Sequence, residues 1–98
     1  MQIAVLKEQN INENRVSLTP DLIKIFQRLN LDVLVEDGAG ITSGYPNELY
    51  LESGAKIVSR KECLNSDICL CVRLPEENDL NNLKQESVLI GILNPYEN

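Results

Sequence analysis

The sequence of 98 residues contains no histidine. Histidine is the side chain that most readily exchanges protons near neutral pH, so its absence removes the usual general acid or base and every Cys/His metal site. Cysteine is scarce and odd in number, with residues at Cys63, Cys69 and Cys71 and no CxxC spacing. We expect these thiols to be buried and inert, because free cysteine usually packs as a small hydrophobe and nothing nearby would lower a thiol pKa.

Long apolar runs and basic clusters are also missing. No run approaches the roughly 18 apolar residues of a membrane span, and the N-terminus has no export signal, so we expect a soluble, unexported domain. Nine Lys and Arg face fifteen Asp and Glu, for a net charge of −6, and only Arg60 and Lys61 are adjacent basic residues. Nucleic acid and anionic lipid are therefore poor partners, since both require a basic face. The length allows one domain at most and leaves room for a missing remainder.

Short apolar segments alternate with helical ones along the whole chain. The predicted strands are Gln2 to Leu6, Leu31 to Val35, Ala55 to Val58, Ile68 to Val72 and Ser87 to Leu93. The predicted helices run from Pro20 to Leu29, from Pro46 to Ser53, over one turn capped by Ser59, and from Pro75 onward. Strict alternation and continuous apolar strands predict an α/β fold with a doubly wound, mainly parallel sheet of about five strands.

The helix boundaries carry their own signals. Thr19 is the predicted N-cap of the first helix and Asn30 its predicted left-handed stop, and Gly54 is the predicted C-terminal stop of the second helix. Helical spacing predicts that two groups of apolar residues point into the core: Leu22, Ile23, Phe26 and Leu29 on the first helix, and Leu80 and Leu83 on the last.

The charged loop from Lys7 to Pro20 is the first candidate site, because ligands collect at the carboxyl ends of parallel strands. Arg73 and Asn94 follow the fourth and fifth predicted strands, so Lys7, Arg15, Arg73 and Asn94 are predicted to line one anion-binding cleft. An arginine there can hold a carboxylate through two hydrogen bonds. The alternative for Arg15 is an exposed pair with Glu8 or Glu13, which would contribute about 0–1 kcal/mol.

A glycine-rich stretch from Gly38 to Gly44 follows the second predicted strand. Its spacing is GxGxxxG, not the GxGxxG of a dinucleotide site, and the acidic Glu36 and Asp37 beside it would repel a pyrophosphate. We interpret it as a glycine-rich turn between a strand and a helix.

Several motifs together resemble a known family. They are Lys7-Glu8, Asn12-Glu13-Asn14-Arg15-Val16-Ser17-Leu18-Thr19-Pro20, Val35-Glu36-Asp37-Gly38-Ala39-Gly40, Ser53-Gly54-Ala55-Lys56-Ile57, Ser66-Asp67-Ile68 and Val72-Arg73-Leu74-Pro75. In this order they resemble the N-terminal domain shared by alanine dehydrogenases and the alpha subunit of the proton-translocating NAD(P) transhydrogenase.

The resemblance implies that residues 1–98 form the flavodoxin-like N-terminal domain of a two-domain subunit. A separate Rossmann domain would follow and bind NAD(H), and NADP(H) would bind a partner subunit or domain. It also implies a homodimer, with membrane and NADP-binding transhydrogenase subunits as partners. The location implied is cytoplasmic and peripheral to the inner membrane, or the matrix side in a mitochondrion. Alone, these 98 residues are expected to be inactive.

The choice between the branches of the family depends on Asn94 and on the ending Leu93-Asn94-Pro95-Tyr96-Glu97-Asn98, which resembles the Pro-x-x-Asn pattern of the transhydrogenase alpha subunit. The resemblance implies that alanine dehydrogenases grip a substrate carboxylate with an arginine that matches Arg15 and a lysine at the position of Arg73. Asn94 stands where those enzymes carry an acid/base histidine, and asparagine cannot shuttle a proton at neutral pH. Cys71 stands where both branches of the family commonly carry a lysine. The leading hypothesis is a transhydrogenase alpha subunit passing hydride from NADH to NADP+; the alternatives are an alanine or related amino-acid dehydrogenase and a non-catalytic ligand-binding module.

Overall fold

Five parallel strands form the centre of the fold in a computed structural model that describes residues 1–9, 13–73 and 75–91. The strands are β1 (Gln2–Val5), β2 (Asp32–Glu36), β3 (Lys56–Val58), β4 (Ile68–Cys71) and β5 (Val88–Gly91). They lie in the order β3-β2-β1-β4-β5, and every neighbouring pair is parallel. The predicted parallel α/β sheet is confirmed.

The central strand β1 shows why the apolar runs are continuous. Ile3 and Val5 face one core cluster and Ala4 and Leu6 face the other, and all four are at most 4% exposed. Successive side chains of a strand point to opposite faces, so a sheet covered on both faces needs apolar residues at every position. The sheet is therefore doubly wound, with one cluster on each face.

Four short helices cover these faces: α1 (Ile23–Arg28), α2 (Asn47–Glu52), α3 (Arg60–Leu64) and α4 (Glu77–Asn81). Ser59 caps α3 as predicted, since its Oγ accepts a hydrogen bond from the Glu62 amide at 3.3 Å. Thr19 occupies the cap position ahead of a 3-10 turn at Pro20–Leu22, but its hydroxyl donates to the Asp21 carboxylate instead of capping an amide. Pro46 precedes α2 and is not its first residue.

The predicted apolar stripe on the first helix is only partly correct. Ile23 is fully buried and Phe26 packs against the core, but Leu22 and Leu29 are 42% and 64% exposed. The stripe assumed one continuous α-helix, whereas Leu22 belongs to the tighter 3-10 turn and Leu29 follows the last helical residue. A 3-10 turn advances about 120° per residue, which rotates Leu22 out of the stripe.

The last helix shows a similar result. Leu83 packs against the second cluster, but Leu80, predicted to face inward, is 37% exposed. Helix α4 has five residues and connects β4 to β5 along the chain. A helix that short presents little more than one turn to the core.

Two predicted helix stops are confirmed. Asn30 and Gly54 have φ angles of 63° and 101°, in the left-handed region that asparagine and glycine tolerate best. Cys63, Cys69 and Cys71 are buried as predicted. Burial raises the pKa of Cys63 to about 12 and that of Cys71 to about 11, and it raises the pKa of Cys69, so the thiolates needed for redox chemistry are disfavoured.

The fifth strand begins one residue later than predicted, at Val88. The predicted end of that strand at Leu93, and the candidate site residue Asn94, lie outside the described residues.

Candidate functional site

The carboxyl edge of the sheet carries a small open cleft. Its volume is about 180 Å³, below the roughly 300–1,000 Å³ of pockets that hold drug-sized ligands. Charged side chains dominate its lining, which includes Lys7, Glu8, Arg60, Arg73 and Glu76, with Cys71 beneath them. The cleft thus suits a small polar ligand. It lies where β1 and β4 end, as expected of a site in a parallel sheet.

Glu13 joins two arginines beside this cleft. Its Oε2 accepts hydrogen bonds from Arg15 Nε at 2.8 Å and from the Arg15 amide at 3.0 Å. Its Oε1 accepts from Arg15 Nη2 at 2.9 Å and from Arg73 Nε at 2.8 Å. We call Glu13, Arg15 and Arg73 the two-arginine unit. It connects the loop after β1 to the loop after β4.

The electrostatics of the unit follow from these bonds. The hydrogen bonds from the Arg15 side chain outweigh the cost of burying the carboxylate, and with those from the Arg15 amide and Arg73 they lower the pKa of Glu13 to about 2. Glu13 is therefore ionised at neutral pH. Its side chain is 3% exposed, whereas those of Arg15 and Arg73 are 48% and 39% exposed.

Arg73 is also held through its backbone. Glu8 Oε2 accepts from the Val72 amide at 2.9 Å, and Glu8 Oε1 accepts from the Arg73 amide at 2.8 Å. A carboxylate that accepts two backbone amides satisfies donors that the end of a strand would otherwise leave open. The charged loop after β1 thus fixes Arg73 twice, at its backbone through Glu8 and at its side chain through Glu13.

Arg60 also lines the cleft and forms a second charged cluster, which we call the Arg60 clasp. Its Nη1 donates to Glu36 Oε1 at 2.6 Å and to the Lys7 carbonyl at 3.0 Å. Its Nε and Nη2 donate to Asp79 Oδ2 at 3.0 and 2.8 Å. Burial opposes the charge, but the two carboxylates outweigh it and raise the pKa of Arg60. The clasp ties α3 to α4 and to the end of β2.

Lys7 is placed by the same cluster. Glu36 Oε1 accepts from the Lys7 amide at 2.9 Å while Arg60 binds the Lys7 carbonyl, so both backbone groups of Lys7 are fixed. The ammonium group extends toward the glycine-rich turn, where Lys7 Nζ would lie 3.6 Å from a Cβ at Gly38. Lys7 therefore stands at the boundary between the cleft and that turn.

The glycine-rich turn holds the arginine-bearing loop in place. Ser43 Oγ donates to the Asn14 carbonyl, and the buried Tyr50 hydroxyl donates to the Leu18 carbonyl at 2.8 Å. Gly40 allows Tyr50 to approach, because a Cβ there would lie 2.7 Å from Tyr50 Cε2 and 2.7 Å from the Tyr45 carbonyl oxygen. These contacts bracket Arg15 on both sides along the chain.

The turn does not fit a dinucleotide pyrophosphate, which needs free backbone amides. Most of its amides are already bonded within the protein: Gly38 N donates to Asn47 Oδ1 at 2.9 Å, Ala39 N to the Glu36 carbonyl, and Gly44 N to the Ile41 carbonyl. The space beside Gly40 is filled by Tyr50. No cofactor step is therefore assigned to this turn.

The structure thus brings only some of the four predicted site residues together. Lys7 and Arg73 line the cleft, Arg15 lies beside it and joins Arg73 through Glu13, and Asn94 lies outside the described residues. The sequence did not indicate that Glu13 also binds Arg73. The Glu13-Asn14-Arg15 spacing indicated a pair with Arg15, and that pair is present, but nothing in the sequence indicated the bond to Arg73.

Arg60 was also missed as part of the site. Its partners Glu36 and Asp79 are 24 and 19 residues away in the chain, so no local spacing indicates them. Within residues 1–9, 13–73 and 75–91, no group of His, Cys, Asp and Glu side chains is arranged to hold a metal ion. No described helix has the length and apolar character to cross a bilayer.

A doubly wound sheet with a charged cleft at its carboxyl edge is typical of α/β domains that bind small ligands. Comparison with known families narrows this class. The chain belongs to the family of alanine dehydrogenase/PNT N-terminal domains, whose model matches residues 4–98. The resemblance inferred from the sequence motifs is confirmed.

Individual relatives come from both branches of this family. Alanine dehydrogenase 1 of Staphylococcus aureus is 34% identical over 93 residues, which make up 95% of this chain and 25% of that protein. The transhydrogenase from Sinorhizobium meliloti superposes with a TM-score of 0.91 at 32% identity, covering 100% of this chain and 30% of that one. An L-alanine dehydrogenase superposes with a TM-score of 0.88 at 28% identity, covering 95% and 26%.

The chain therefore spans about a quarter of the curated relatives it matches. The relatives are named as dehydrogenases and a transhydrogenase, so the family is one of oxidoreductases. Both branches match over nearly the same residues.

Proposed function

We propose that this chain is the N-terminal part of the NAD(H)-binding alpha subunit of a proton-translocating NAD(P) transhydrogenase, which transfers hydride from NADH to NADP+. The observation that carries the proposal is the chemistry of the site. The cleft is built from arginines, lysine and carboxylates, and the chain supplies no histidine.

The shifted groups at the cleft titrate far from neutrality. The pKa of Glu13 is lowered to about 2 and that of Cys71 is raised to about 11. An amino-acid dehydrogenase must move a proton at the substrate as well as a hydride, and a general acid or base works best with a pKa near the operating pH. Hydride transfer between two nicotinamides needs positioning but no such group, and the cofactor carries the chemistry. The superposition on the Sinorhizobium meliloti transhydrogenase over the whole chain supports the same reading.

The role proposed for this chain is to position, not to react. The glycine-rich turn is occupied by internal hydrogen bonds, so NAD(H) would bind mainly to a Rossmann domain elsewhere in the protein, and NADP(H) to a partner subunit or domain. The charged edge with Lys7, Arg15 and Arg73, to which Asn94 is added from the sequence, would form one wall of the cleft over bound NAD(H). The guanidinium and ammonium groups of these three residues suit an anionic group.

The wider assembly follows from this proposal. The intact subunit would be a homodimer that works with membrane and NADP-binding transhydrogenase subunits. It would lie on the cytoplasmic face of the inner membrane, or on the matrix face in a mitochondrion.

An alanine or related amino-acid dehydrogenase is the second candidate. The specific observation in its favour is that Arg15 and Arg73 bind one common carboxylate and lie side by side, as a clamp on a substrate carboxylate requires. Similarity to alanine dehydrogenase 1 of Staphylococcus aureus also supports it.

One pair of assays separates the candidates. The full-length protein with its partner subunits is expected to reduce an NADP analogue in the presence of NADH. The same protein should not oxidise NADH when given pyruvate and ammonia. The opposite pattern would replace the transhydrogenase proposal with the dehydrogenase, and activity in neither assay, with anion binding retained, would favour a non-catalytic ligand-binding module.

A further inference from the structure

The first helix is apolar on two of its sides. On the inner side Ile23 is fully buried and Phe26 packs against the core. On the outer side Leu22, Ile25 and Leu29 are 42%, 50% and 64% exposed. A single exposed leucine is ordinary on a protein surface, whereas a second row of apolar side chains on one helix is typical of a surface that binds another structure.

The three exposed residues follow helical spacing. Leu22, Ile25 and Leu29 occupy positions i, i+3 and i+7, which is the spacing of one side of a helix. The exposed leucines of α2, Leu49 and Leu51, are two positions apart and point in different directions. We call Leu22, Ile25 and Leu29 the outer stripe.

Charges of opposite sign stand at the two ends of the outer stripe. Asp21 lies immediately before Leu22, and Arg28 lies immediately before Leu29. Asp21 and Arg28 are seven residues apart, about two helical turns, so they fall on the same side of the helix. The Asp21 carboxylate accepts a hydrogen bond from the Thr19 hydroxyl, but within residues 1–9, 13–73 and 75–91 no ion pair joins Asp21 or Arg28 to another side chain.

We propose that the outer stripe is an interface between two copies of this chain, in which the two α1 helices pack antiparallel about a two-fold axis near Ile25. The pattern is complementary to itself, because reversing the direction of the helix about Ile25 exchanges Leu22 with Leu29 and Asp21 with Arg28. A two-fold interface requires a surface of this kind, since each residue pair occurs twice.

The order of the charges favours a second copy as the occupant of this surface. In an antiparallel pair, Asp21 of each copy lies opposite the partner's Arg28, which gives two equivalent ion pairs beside the apolar contact. A parallel pair would instead place like charges opposite each other, which is unfavourable. A specific interface buries about 800 Å² per partner, so the outer stripe forms the apolar centre and the charged residues belong to the rim.

The proposal assigns a surface to the homodimer proposed above and rests on that assembly, but it does not depend on hydride transfer. It also explains why the exposed side of α1 differs from the rest of the helical surface. Leu49 and Leu51 on α2 carry no comparable pattern of spacing.

The test is a disulfide cross-link in the full-length protein. Ile25→Cys places one thiol per copy next to the two-fold axis. Packed helix axes lie about 8–10 Å apart, so two Cα atoms that face each other across the axis come within the roughly 4.4–6.8 Å that a disulfide spans. We expect a mild oxidant to convert Ile25→Cys to a covalent dimer. Cys63, Cys69 and Cys71 are buried and should not compete.

Leu51→Cys is the matched control for accidental collisions. Leu51 is 52% exposed and Ile25 is 50% exposed, so the two thiols are equally available to solvent, but Leu51 lies outside the outer stripe. We expect the Leu51→Cys protein and the wild type to form no covalent dimer under the same conditions.

Charge reversal tests the antiparallel arrangement. In the Ile25→Cys protein, either Asp21→Arg or Arg28→Asp should slow disulfide formation about tenfold, because like charges then face each other twice. The two changes together restore opposite charges and should restore the rate. A structural effect on α1 would not be rescued, since reversing both charges also opposes the helix dipole.

The remaining outcomes reject the proposal. If Ile25→Cys forms no covalent dimer and its thiol reacts freely with a maleimide, the stripe is an open surface. If the thiol is protected from the maleimide in a monomer, another part of the same chain covers the stripe. Equal cross-linking of Leu51→Cys, or no rescue by the paired charge reversal, also rejects the antiparallel interface.

The result is separable from the proposed function. A covalent dimer of Ile25→Cys without hydride transfer from NADH to NADP+ in the wild type would reject the transhydrogenase and leave the interface in place. A homodimer seen by sedimentation without the cross-link would reject the outer stripe as its interface and leave the transhydrogenase proposal in place.

Discussion

The two-arginine unit and the Arg60 clasp are opposite solutions to one problem, the placement of charge at the carboxyl edge of an acidic domain. In the unit, one buried carboxylate holds two arginines that are 48% and 39% exposed. In the clasp, one arginine that is 18% exposed holds two carboxylates that are 13% and 14% exposed.

The difference teaches which arginines are exposed to solvent and which one is enclosed by the fold. The guanidinium of Arg60 donates through Nε, Nη1 and Nη2 to partners from three parts of the chain, so its bonding capacity serves the fold. Arg15 donates to Glu13 through Nε and Nη2 and Arg73 donates through Nε, and their side chains are 48% and 39% exposed. The same pairing of arginine with carboxylate thus forms a structural cluster in the Arg60 clasp and a candidate ligand surface in the two-arginine unit.

The sharpest test of this contrast is Arg60→Ala against Arg15→Ala. Removing Arg60 leaves Glu36 and Asp79 largely buried without their cation, which should lower the free energy of unfolding by about 3 kcal/mol. Removing Arg15 leaves the buried Glu13 with Arg73 as a second guanidinium partner, so the loss should be smaller, about 1–2 kcal/mol. Urea unfolding of both variants at neutral pH measures the difference, with Lys84→Ala as an exposed ion-pair control. Equal losses of unfolding free energy in Arg60→Ala and Arg15→Ala would show that the two clusters do not differ in their contribution to stability.

A smaller effect is expected from Tyr50→Phe, which loosens the loop of the two-arginine unit and leaves the clasp intact. The variant removes the donor to the Leu18 carbonyl, and a buried carbonyl without a partner costs about 1–2 kcal/mol. The free energy of unfolding should fall by that amount. Tyr45→Phe is the matched control, since no hydrogen bond of its hydroxyl occurs among the described residues, and should change stability by about 0.5 kcal/mol or less. A neutral Tyr50→Phe would mean that the loop is held by other contacts.

The pH dependence of stability should separate the two clusters further. Glu13 has its pKa lowered from an ordinary 4.5 to about 2, so its contribution is fully present above pH 4.5 and is lost as the pH falls toward 2. Wild type and Glu13→Gln should therefore differ most at neutral pH and converge across this range. Urea unfolding at several pH values checks this. A difference that stays constant from pH 6 to pH 2.5 would show that Glu13 is not stabilised in its charged form.

The smallest expected effect concerns the thiols beneath the cleft. Cys71 lines the cleft beside Arg73, but burial raises its pKa to about 11 and it is 1% exposed. A disulfide reagent should therefore label the native wild type very slowly, and all three cysteines only after unfolding. Labelling should be faster in Arg60→Ala than in Arg15→Ala, because the clasp contributes more to the fold. Rapid native labelling of Cys71 would show that the cleft opens.

Much of the fold was predictable because its signals are local. Continuous apolar runs indicated a sheet covered on both faces, and Asn30, Gly54 and Ser59 marked helix ends through their own backbone and side-chain chemistry. The helix surfaces were less predictable. Leu22 and Leu29 were expected in the core, but the change from a 3-10 turn to a six-residue α1 altered the direction in which they point.

The sequence by itself determined the family, the parallel α/β class and the presence of charged residues after the strands. Only the tertiary structure decided which charges meet. Arg73 reaches Glu13 across 60 residues, because β4 lies directly beside β1 in the order β3-β2-β1-β4-β5. Strand order is set by how whole helices pack on the sheet, and no local spacing encodes it. The same residue types therefore form a pair of partly exposed arginines in one cluster and an enclosed clasp in the other.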